Sequence, residues 1–336
     1  MPSNMTQTLV TSYLVGFGMS ALSCVMAHAA ETNRQDVSRY PAAPVRAVVP
    51  YPPGGGTDIL ARQLGAKLYD RWGQPLVIDN RAGGATVIGA DLVARAPADG
   101  YTLLITTGTH AVNATLYSKL PFDPIRSFEP VTLLATSPNV LVVHPSMPAR
   151  NVKELVAMAR ARPAQANYSS SGAGGTGHLA MEMLKQAAGV DIVHIPYKGA
   201  GPALTALVAG EVTTSINNMI ATLPQIKANR VRVLAVTTVK RSAALPDVPT
   251  IAESGFPGFD ASGWFGVFAP AKTPRVIIVK LADAFRAVLK LPEVEQNLAA
   301  QGAEASGTSP EELAKWMRVE VERWRRVLTA ANIKQD

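Results

Sequence analysis

Short apolar runs alternate with longer stretches in which apolar residues recur every third or fourth position, from Val45 almost to the end of the chain. The first unit sets the pattern. Val45–Val49 reads as a strand, 50–58 as a turn-rich loop, and Leu60, Leu64, Leu68 and Trp72 as one stripe of a helix. Further apolar runs predict strands at 76–78, 101–106, 131–134, 140–143, 192–195, 212–216, 231–236 and 264–268. Helical spacing marks Val87, Ile88, Leu92 and Val93, then Leu155, Val156 and Met158 behind the cap Asn151, then Leu179, Met183 and Leu184, then Leu204, Leu207 and Val208. Ile277, Ile278, Leu281, Phe285 and Leu289 follow Thr273-Pro274. Ser309-Pro310-Glu311-Glu312 is a capping box opening a last helix, with Leu313, Trp316, Met317, Val321, Trp324 and Leu328 as its core stripe. Strands and helices alternate throughout, which predicts an α/β fold with mostly parallel sheets flanked by helices.

The polar positions fall where open parallel sheets bind ligands, at the C-terminal ends of strands. Pro50-Tyr51-Pro52-Pro53-Gly54-Gly55-Gly56-Thr57-Asp58 ends the first strand and opens the first helix. Glycines let a ligand approach the backbone, and the unpaired N–H groups of a helix's first turn favour an anion. The loop therefore reads either as a small-anion cradle or as tight strand-to-helix packing. Tyr168-Ser169-Ser170-Ser171-Gly172-Ala173-Gly174-Gly175-Thr176-Gly177 is a second loop of this kind, and Thr107-Gly108-Thr109-His110 is a polar loop at another strand end. Asn217 and Asn218 stand at a third such end, as contacts or as structural turn residues. A phosphate loop would close on Gly-Lys-Ser/Thr, whereas Gly56 is followed by Thr57 and Asp58. Gly172, Gly174 and Gly177 fit the dinucleotide spacing, but the next strand ends in Pro196, Tyr197 and Lys198 instead of the acid that would hold a ribose. No nucleotide and no other cofactor is expected.

With 336 residues, 47% hydrophobic and 17% charged, the chain is long and apolar enough for two ordinary domains. The net charge of +7 suits a small acidic solute, and the scatter of the basic residues argues against nucleic acid. Residues 1–29 hold no Asp, Glu, Lys or Arg, and 14–26 is mostly apolar but short for a bilayer span. Ala27-His28-Ala29 is a small-x-small cleavage pattern, so 1–29 reads as a secretory signal peptide, with an uncleaved anchor as the alternative because no basic segment precedes it. The sole cysteine, Cys24, lies in that leader, which leaves the mature chain without a thiol for disulfides or metals. Lipid attachment at Cys24 is the lesser reading, since the leucine of Ala21-Leu22-Ser23-Cys24 is one place out of register.

Catalytic constellations are not found. There is no G-x-S-x-G elbow, no histidine pair at i+3 or i+4 spacing, and no distinctive carboxylate pair. His178 stands near serines 169–171, but in a first helical turn it reads as a cap or packing residue. An enzyme is not expected.

The mature chain resembles the periplasmic solute-binding proteins of the tripartite tricarboxylate transporter family, the Bug proteins. The resemblance rests on Pro52-Pro53-Gly54-Gly55-Gly56-Thr57-Asp58, Asn80-Arg81-Ala82-Gly83, Asp99-Gly100-Tyr101-Thr102-Leu103-Leu104, Pro196-Tyr197-Lys198-Gly199, Arg241-Ser242 with 245–250, and Trp264 with Phe268-Ala269-Pro270. It implies a two-lobed flytrap, with lobe I at 40–141 plus 263–336, lobe II at 142–262, and chain crossings at 139–145 and 260–264. It also implies a periplasmic monomer that captures a small carboxylate and delivers it to membrane transporter subunits without catalysis. Carried over residue by residue, the ligand contacts are Pro53, Gly55, Gly56, Thr57, Asp58, Thr107 and Thr109 from the first lobe. Ser171, Gly172, Thr176, Lys198, Gly199 and Asn217 face them from the second. Asp58 would cap its helix, bind a ligand amine or hold a water. Gly55 is singled out as a place where a side chain would occupy ligand volume and, at positive φ, strain the loop. An exported α/β enzyme acting on a small anion, or a ligand-sensing module docking to a receptor, are the alternative functions.

Overall fold

The structure, a computed structural model, describes residues 37–163, 165–330 and 333. The expected leader and Cys24 lie outside the described residues. Residues 37–42 hold one short 3-10 turn, Val37–Arg39.

From residue 43 the chain forms β1 (Val45–Val49), α1 (Gly56–Trp72), β2 (Leu76–Asn80), α2 (Val87–Ala94), β3 (Thr102–Thr107), α3 (Thr109–Leu116) and β4 (Phe128–Ser137). A second block follows, with β5 (Asn139–Val143), α4 (Val152–Ala161), β6 (Asn167–Ser170), α5 (Thr176–Ala188), β7 (Val193–Pro196), α6 (Ala200–Val208), β8 (Thr214–Asn218), α7 (Met219–Lys227) and β9 (Arg232–Val236). The last block is β10 (Gly263–Pro270), α8 (Arg275–Leu289), α9 (Pro292–Ala300), β11 (Glu304–Ala305) and α10 (Pro310–Ala330).

These strands form two sheets flanked by helices, one in each lobe, with orders β11-β4-β10-β3-β1-β2 and β7-β6-β8-β5-β9. β1 runs parallel to β2 and β3, and β6 runs parallel to β7 and β8. β10 and β5 are antiparallel to both of their neighbours, so each sheet is more mixed than the alternation of elements suggests. The cause is the chain path. A parallel neighbour needs a long crossover, usually through a helix, whereas β5 follows β4 after a single residue and β10 arrives from the other sheet through an irregular segment.

The first crossing is Pro138, between the end of β4 and the start of β5, just ahead of the expected 139–145. Residues 139–143 pair wholly within the second sheet, so a division drawn after 141 cuts β5 in two. The two crossings are laced together. Thr237 Oγ1 donates to Ala261 O at 2.9 Å, Asn139 N donates to Thr237 Oγ1 at 3.1 Å, and Asn139 Nδ2 donates to Ala261 O at 3.1 Å.

Packing follows the periods of the sequence. On α1 the buried Leu60, Leu64 and Leu68 recur at i+4, and Gly73, left-handed at φ 64, ends the helix by donating its N–H to Tyr69 O. In β5 alternate residues serve opposite faces: Leu141 and Val143 join one apolar cluster with Leu155 and Leu184, while Val140 and Val142 join another with Leu204 and Leu207. Both faces of the second sheet are therefore covered by helices. In the first lobe α10 closes the core with Leu313, Met317, Trp324 and Leu328 against Val48, Leu104 and Phe268. Leu179, from α5, is buried in that same first-lobe cluster, so the lobes share apolar contact. Trp316 lies off the α10 core stripe and is partly exposed, because the buried row passes through Leu313, Met317 and Glu320 instead.

Candidate functional site

α1, α3, α5 and α6 begin on the walls of one cleft between the sheets, and the residue before each is glycine: Gly55, Gly108, Gly175 and Gly199. No side chain caps any of the four N-termini. One long contact, from Thr109 N to Thr107 Oγ1 at 3.4 Å, is the nearest substitute. Elsewhere the caps vary. Asn151 accepts from Glu154 N at 2.9 Å on α4, Ser309 accepts from Glu312 N at 3.2 Å on α10 and Asn218, which also lines the cleft, accepts from Ile220 N at 3.0 Å on α7, whereas α2, α8 and α9 have no side-chain cap. A cap without an oxygen leaves first-turn N–H groups available, and the dipoles of four helices make the space electropositive without any cationic side chain.

The cleft, open to solvent on one side, spans about 510 Å³ of empty space. It brings together Gly55, Gly56, Thr57, Thr107 and Thr109 from the first lobe with Ser171, Thr176 and Asn217 from the second. Gly172, Lys198 and Gly199 line an adjoining chamber, which also touches Thr109 and Ser171. Pro53 is exposed and lines neither space, and Asp58 is buried and lines neither. Tyr51, Asn139 and Phe265 also line the cleft and do not stand out in the sequence. Tyr51 sits inside the glycine loop and hydrogen-bonds Thr107 Oγ1 through its hydroxyl at 2.7 Å, a role its place in the motif could have signalled. Asn139 faces Asn218 across the β5–β8 register, and Phe265 faces Thr107 across β10–β3; neither pairing is readable from local periodicity.

The lobes meet closely around this space. A Cβ on Gly108 would lie 3.2 Å from Thr176 Cγ2, and one on Gly199 would lie 2.4 Å from Pro52 Cδ. The glycines of the 172–177 loop have separate reasons. Gly172 and Gly174 take positive φ (123° and 76°), and a Cβ on Gly177 would lie 2.1 Å from Ile216 O, where α5 rests on β8. The dinucleotide-like letters are thus turn and packing glycines.

Asp58 turns away from the cleft and organises the loop behind it. Its carboxylate accepts from Gly54 N at 3.0 Å, Arg62 Nε at 3.0 Å and Asn80 Nδ2 at 3.1 Å. Burial alone would raise its pKa, but the Arg62, Gly54 and Asn80 hydrogen bonds outweigh it and hold the carboxyl below the usual range. Its negative charge is therefore neutralised by Arg62 rather than presented to a ligand.

His110 is buried among Phe122, Phe128 and Phe268, with Nε2 2.9 Å from Pro124 O and Nδ1 unpartnered. It belongs to the core and lines neither space, and burial pushes its pKa down to about 4. His178 is not the histidine that meets the serines. Its Nδ1 accepts from Gly174 N at 3.0 Å, while His194 Nε2 lies 2.6 Å from Ser170 Oγ. Burial lowers both pKa values, that of His194 to about 3 with help from His178 and Lys185. Ser170 is fully buried and absent from the cleft lining, so this pair fixes the loop from beneath.

Among the described residues no helix is long and apolar enough to cross a membrane. A family model described as the tripartite tricarboxylate transporter family receptor matches residues 60–333. BugT of Bordetella pertussis is 39% identical over 299 residues, 88% of this chain and 92% of its own. The solved structure of R. palustris Rpa4515 with adipate is 42% identical, with a TM-score of 0.86 over 88% of this chain and 99% of that one. MatC from Rhodopseudomonas palustris with bound malate is 32% identical, with a TM-score of 0.82 over 86% of this chain and 100% of that one. The chain belongs to the tripartite tricarboxylate transporter receptor (TctC) family, as its Pro-Gly loop and Tyr-Lys-Gly motif imply.

Proposed function

We propose that this chain captures a small carboxylate between its lobes in the periplasm and delivers it to membrane subunits of a tripartite tricarboxylate-type transporter, without chemical turnover. The observation that carries the reading is the set of four glycine-capped helix N-termini around a cleft lined by no charged side chain. A carboxylate placed there accepts hydrogen bonds from main-chain N–H groups and from Thr57, Thr107, Thr109, Ser171, Thr176 and Asn217. Each such charge-assisted bond is worth about 1.5 to 3 kcal/mol. The donors come from both lobes, so the full set is assembled only on closure. The binding of adipate and malate by relatives of the same fold supports a carboxylate as the cargo. We assign the moving bodies as 43–138 plus 263–330 and 139–262.

The test is calorimetry and thermal shift of the purified mature chain against a panel of mono-, di- and tricarboxylates. Saturable binding of at least one, recovered chemically unchanged, is expected. At a hundredfold excess over Kd the ligand stabilises the fold by about 2.7 kcal/mol. A panel without binding, or conversion of the bound acid, sinks the reading. N-terminal sequencing of the exported protein should begin at Ala30, and crosslinking in membranes should capture a transporter subunit.

A further inference from the structure

The turn that carries Ser171 into the cleft rests on a column of three rings. Tyr168 stacks on His194 with centroids 4.8 Å apart at 19°, and His194 stacks on His178 at 4.1 Å and 16°. Gly175 N closes the turn by donating to Gly172 O at 3.1 Å. Two further N–H groups of the turn are held by the column. Gly172 N donates to Ser170 Oγ at 3.1 Å, which lies 2.6 Å from His194 Nε2, and Gly174 N donates to His178 Nδ1 at 3.0 Å.

His178 is the third residue of α5, behind Thr176 and Gly177 of the cleft wall. From that helical position a Glu or Gln reaches back to a main-chain N–H in a capping box, and His178 does so one residue further back, at Gly174. An imidazole can accept there only through a bare Nδ1. A proton on Nδ1 would set it against Gly174 N–H, donor to donor, and the tie would break. The charged and titratable groups around the ring are Glu182 and Lys185 on α5, His194 on β7 and Tyr168 on β6. Glu182 is already engaged by the Tyr168 hydroxyl at 2.6 Å and by Lys185 Nζ at 2.8 Å, and Lys185 also pairs with Asp191 at 3.1 Å. Burial, with Lys185, outweighs the pull of Glu182 and keeps His178 below the usual histidine range.

We propose that His178 is a proton-sensitive cap that positions the 171–175 turn: neutral, it holds Ser171 and the start of α5 in place at the cleft, and protonated, it releases them and weakens the grip on cargo in acid. The inference rests on the carboxylate reading of the cleft and adds its regulation by pH. His178 acts through Gly174 and lines neither space itself.

Calorimetry between pH 7 and 4.5 tests this, with the tightest-binding acid of the carboxylate panel as probe and circular dichroism confirming the fold at each pH. At pH 7 His178→Ala should bind about two- to tenfold more weakly than wild type, the worth of one hydrogen bond, and His178→Gln should recover most of that loss because an amide oxygen accepts as a neutral imidazole does. As pH falls, the wild type should lose about the same factor relative to His178→Gln, which has no proton to gain. The probe's own carboxyls titrate alike against both proteins, so the ratio isolates the side chain. In nuclear magnetic resonance spectra without the probe, the Gly174 amide proton should move upfield over the same range in the wild type and stay in place in His178→Gln. A ratio that is constant with pH, or that turns in favour of the wild type in acid, overturns the switch and leaves the carboxylate reading standing. Absence of heat from every acid removes that reading instead, and a wild-type Gly174 resonance that does not move with pH overturns the cap by itself.

Discussion

A methyl group on Gly56, in the first turn of α1, would lie 2.5 Å from Oδ1 of Asn218, at the start of α7 in the other lobe. Asn218 cannot swing aside without loss, because that oxygen accepts from Ile220 N at 3.0 Å and caps α7. Within its own lobe the nearest atom beyond α1 that this methyl meets is Phe265 Cζ, at an ordinary 3.5 Å. Gly56→Ala should therefore fold normally and fail to close, lowering affinity by about five- to 150-fold as overlap costs about 1 to 3 kcal/mol. Gly55 contrasts with it. Its φ of −78° suits any residue and its Cβ position is 3.8 Å from the nearest atom, Pro52 O, so the strain considered from the sequence is absent. Gly55→Ala should close. Small-angle scattering with and without ligand separates the two, and equal compaction in both variants contradicts the Gly56–Asn218 contact as the stop.

Asp58→Ala would strand Gly54 N–H, Arg62 and Asn80 together. A loss of about 1 to 3 kcal/mol and weaker ligand binding are expected, since the loop ahead of α1 loses its tie. The folded pKa of Asp58 is depressed, so its contribution is present above the ordinary value of 3.8 and is lost as pH falls through the lower folded value. Urea unfolding of wild type and variant should differ at pH 7 and converge near pH 2; a constant difference speaks against an ionised Asp58.

His110 gives stability a second acid dependence with a higher window. Its folded pKa of about 4 lies below the ordinary 6.5, because burial favours the neutral ring. For such a base the stability is complete above 6.5 and declines as pH falls toward 4, by roughly 3 kcal/mol in all. His178 and His194 act in the same direction. His110→Phe should flatten part of the decline between pH 7 and 4.5 in urea titrations. An unchanged slope would show that His110 is not held neutral.

Glu320 is buried on α10 and accepts from two indoles, Trp264 Nε1 at 2.8 Å and Trp324 Nε1 at 3.0 Å. Arg323 balances its charge at 3.2 Å and also bonds Asp260 O, next to the second crossing. Glu320→Ala leaves both indole N–H groups without their acceptor and Arg323 with Asp260 alone, and should cost about 3 to 5 kcal/mol in thermal or urea unfolding. A near-neutral result would mean that water replaces the carboxylate.

Most strands and helices were legible because each is a local period: Val45–Val49 as an apolar run, Leu60, Leu64 and Leu68 as a stripe; β6, inside the stretch read as a loop at 168–177, and the two-residue β11 were missed. α3 was not, since Thr109–Leu116 is short and carries Thr and Asn at positions where helix propensity is poor. The glycine loops announced the cleft, yet Phe265 sits in a strand buried along its whole length and looks like core from sequence. Asn139 reaches the cleft only through the register of β5 on β8 and the crossing at Pro138. Such positions depend on how distant strands pair, which no window of neighbouring residues encodes. Asp58 was misplaced for a related reason: its partner Asn80 comes from the next strand, and that contact turns the carboxylate away.

Part of the donor set that faces the cleft belongs to the main chain, at the starts of four helices. A point mutation can remove a hydroxyl or an amide, but only proline deletes an N–H, and proline at these turns would disturb the helix start itself. On the proposed reading, the grip on a carboxylate is therefore inherited with the fold, while wall side chains beyond it, such as Tyr117 and Ala173, are open to change. A duplicated gene of this kind keeps its hold on the acid from the first generation and alters its cargo by drift at a handful of wall positions.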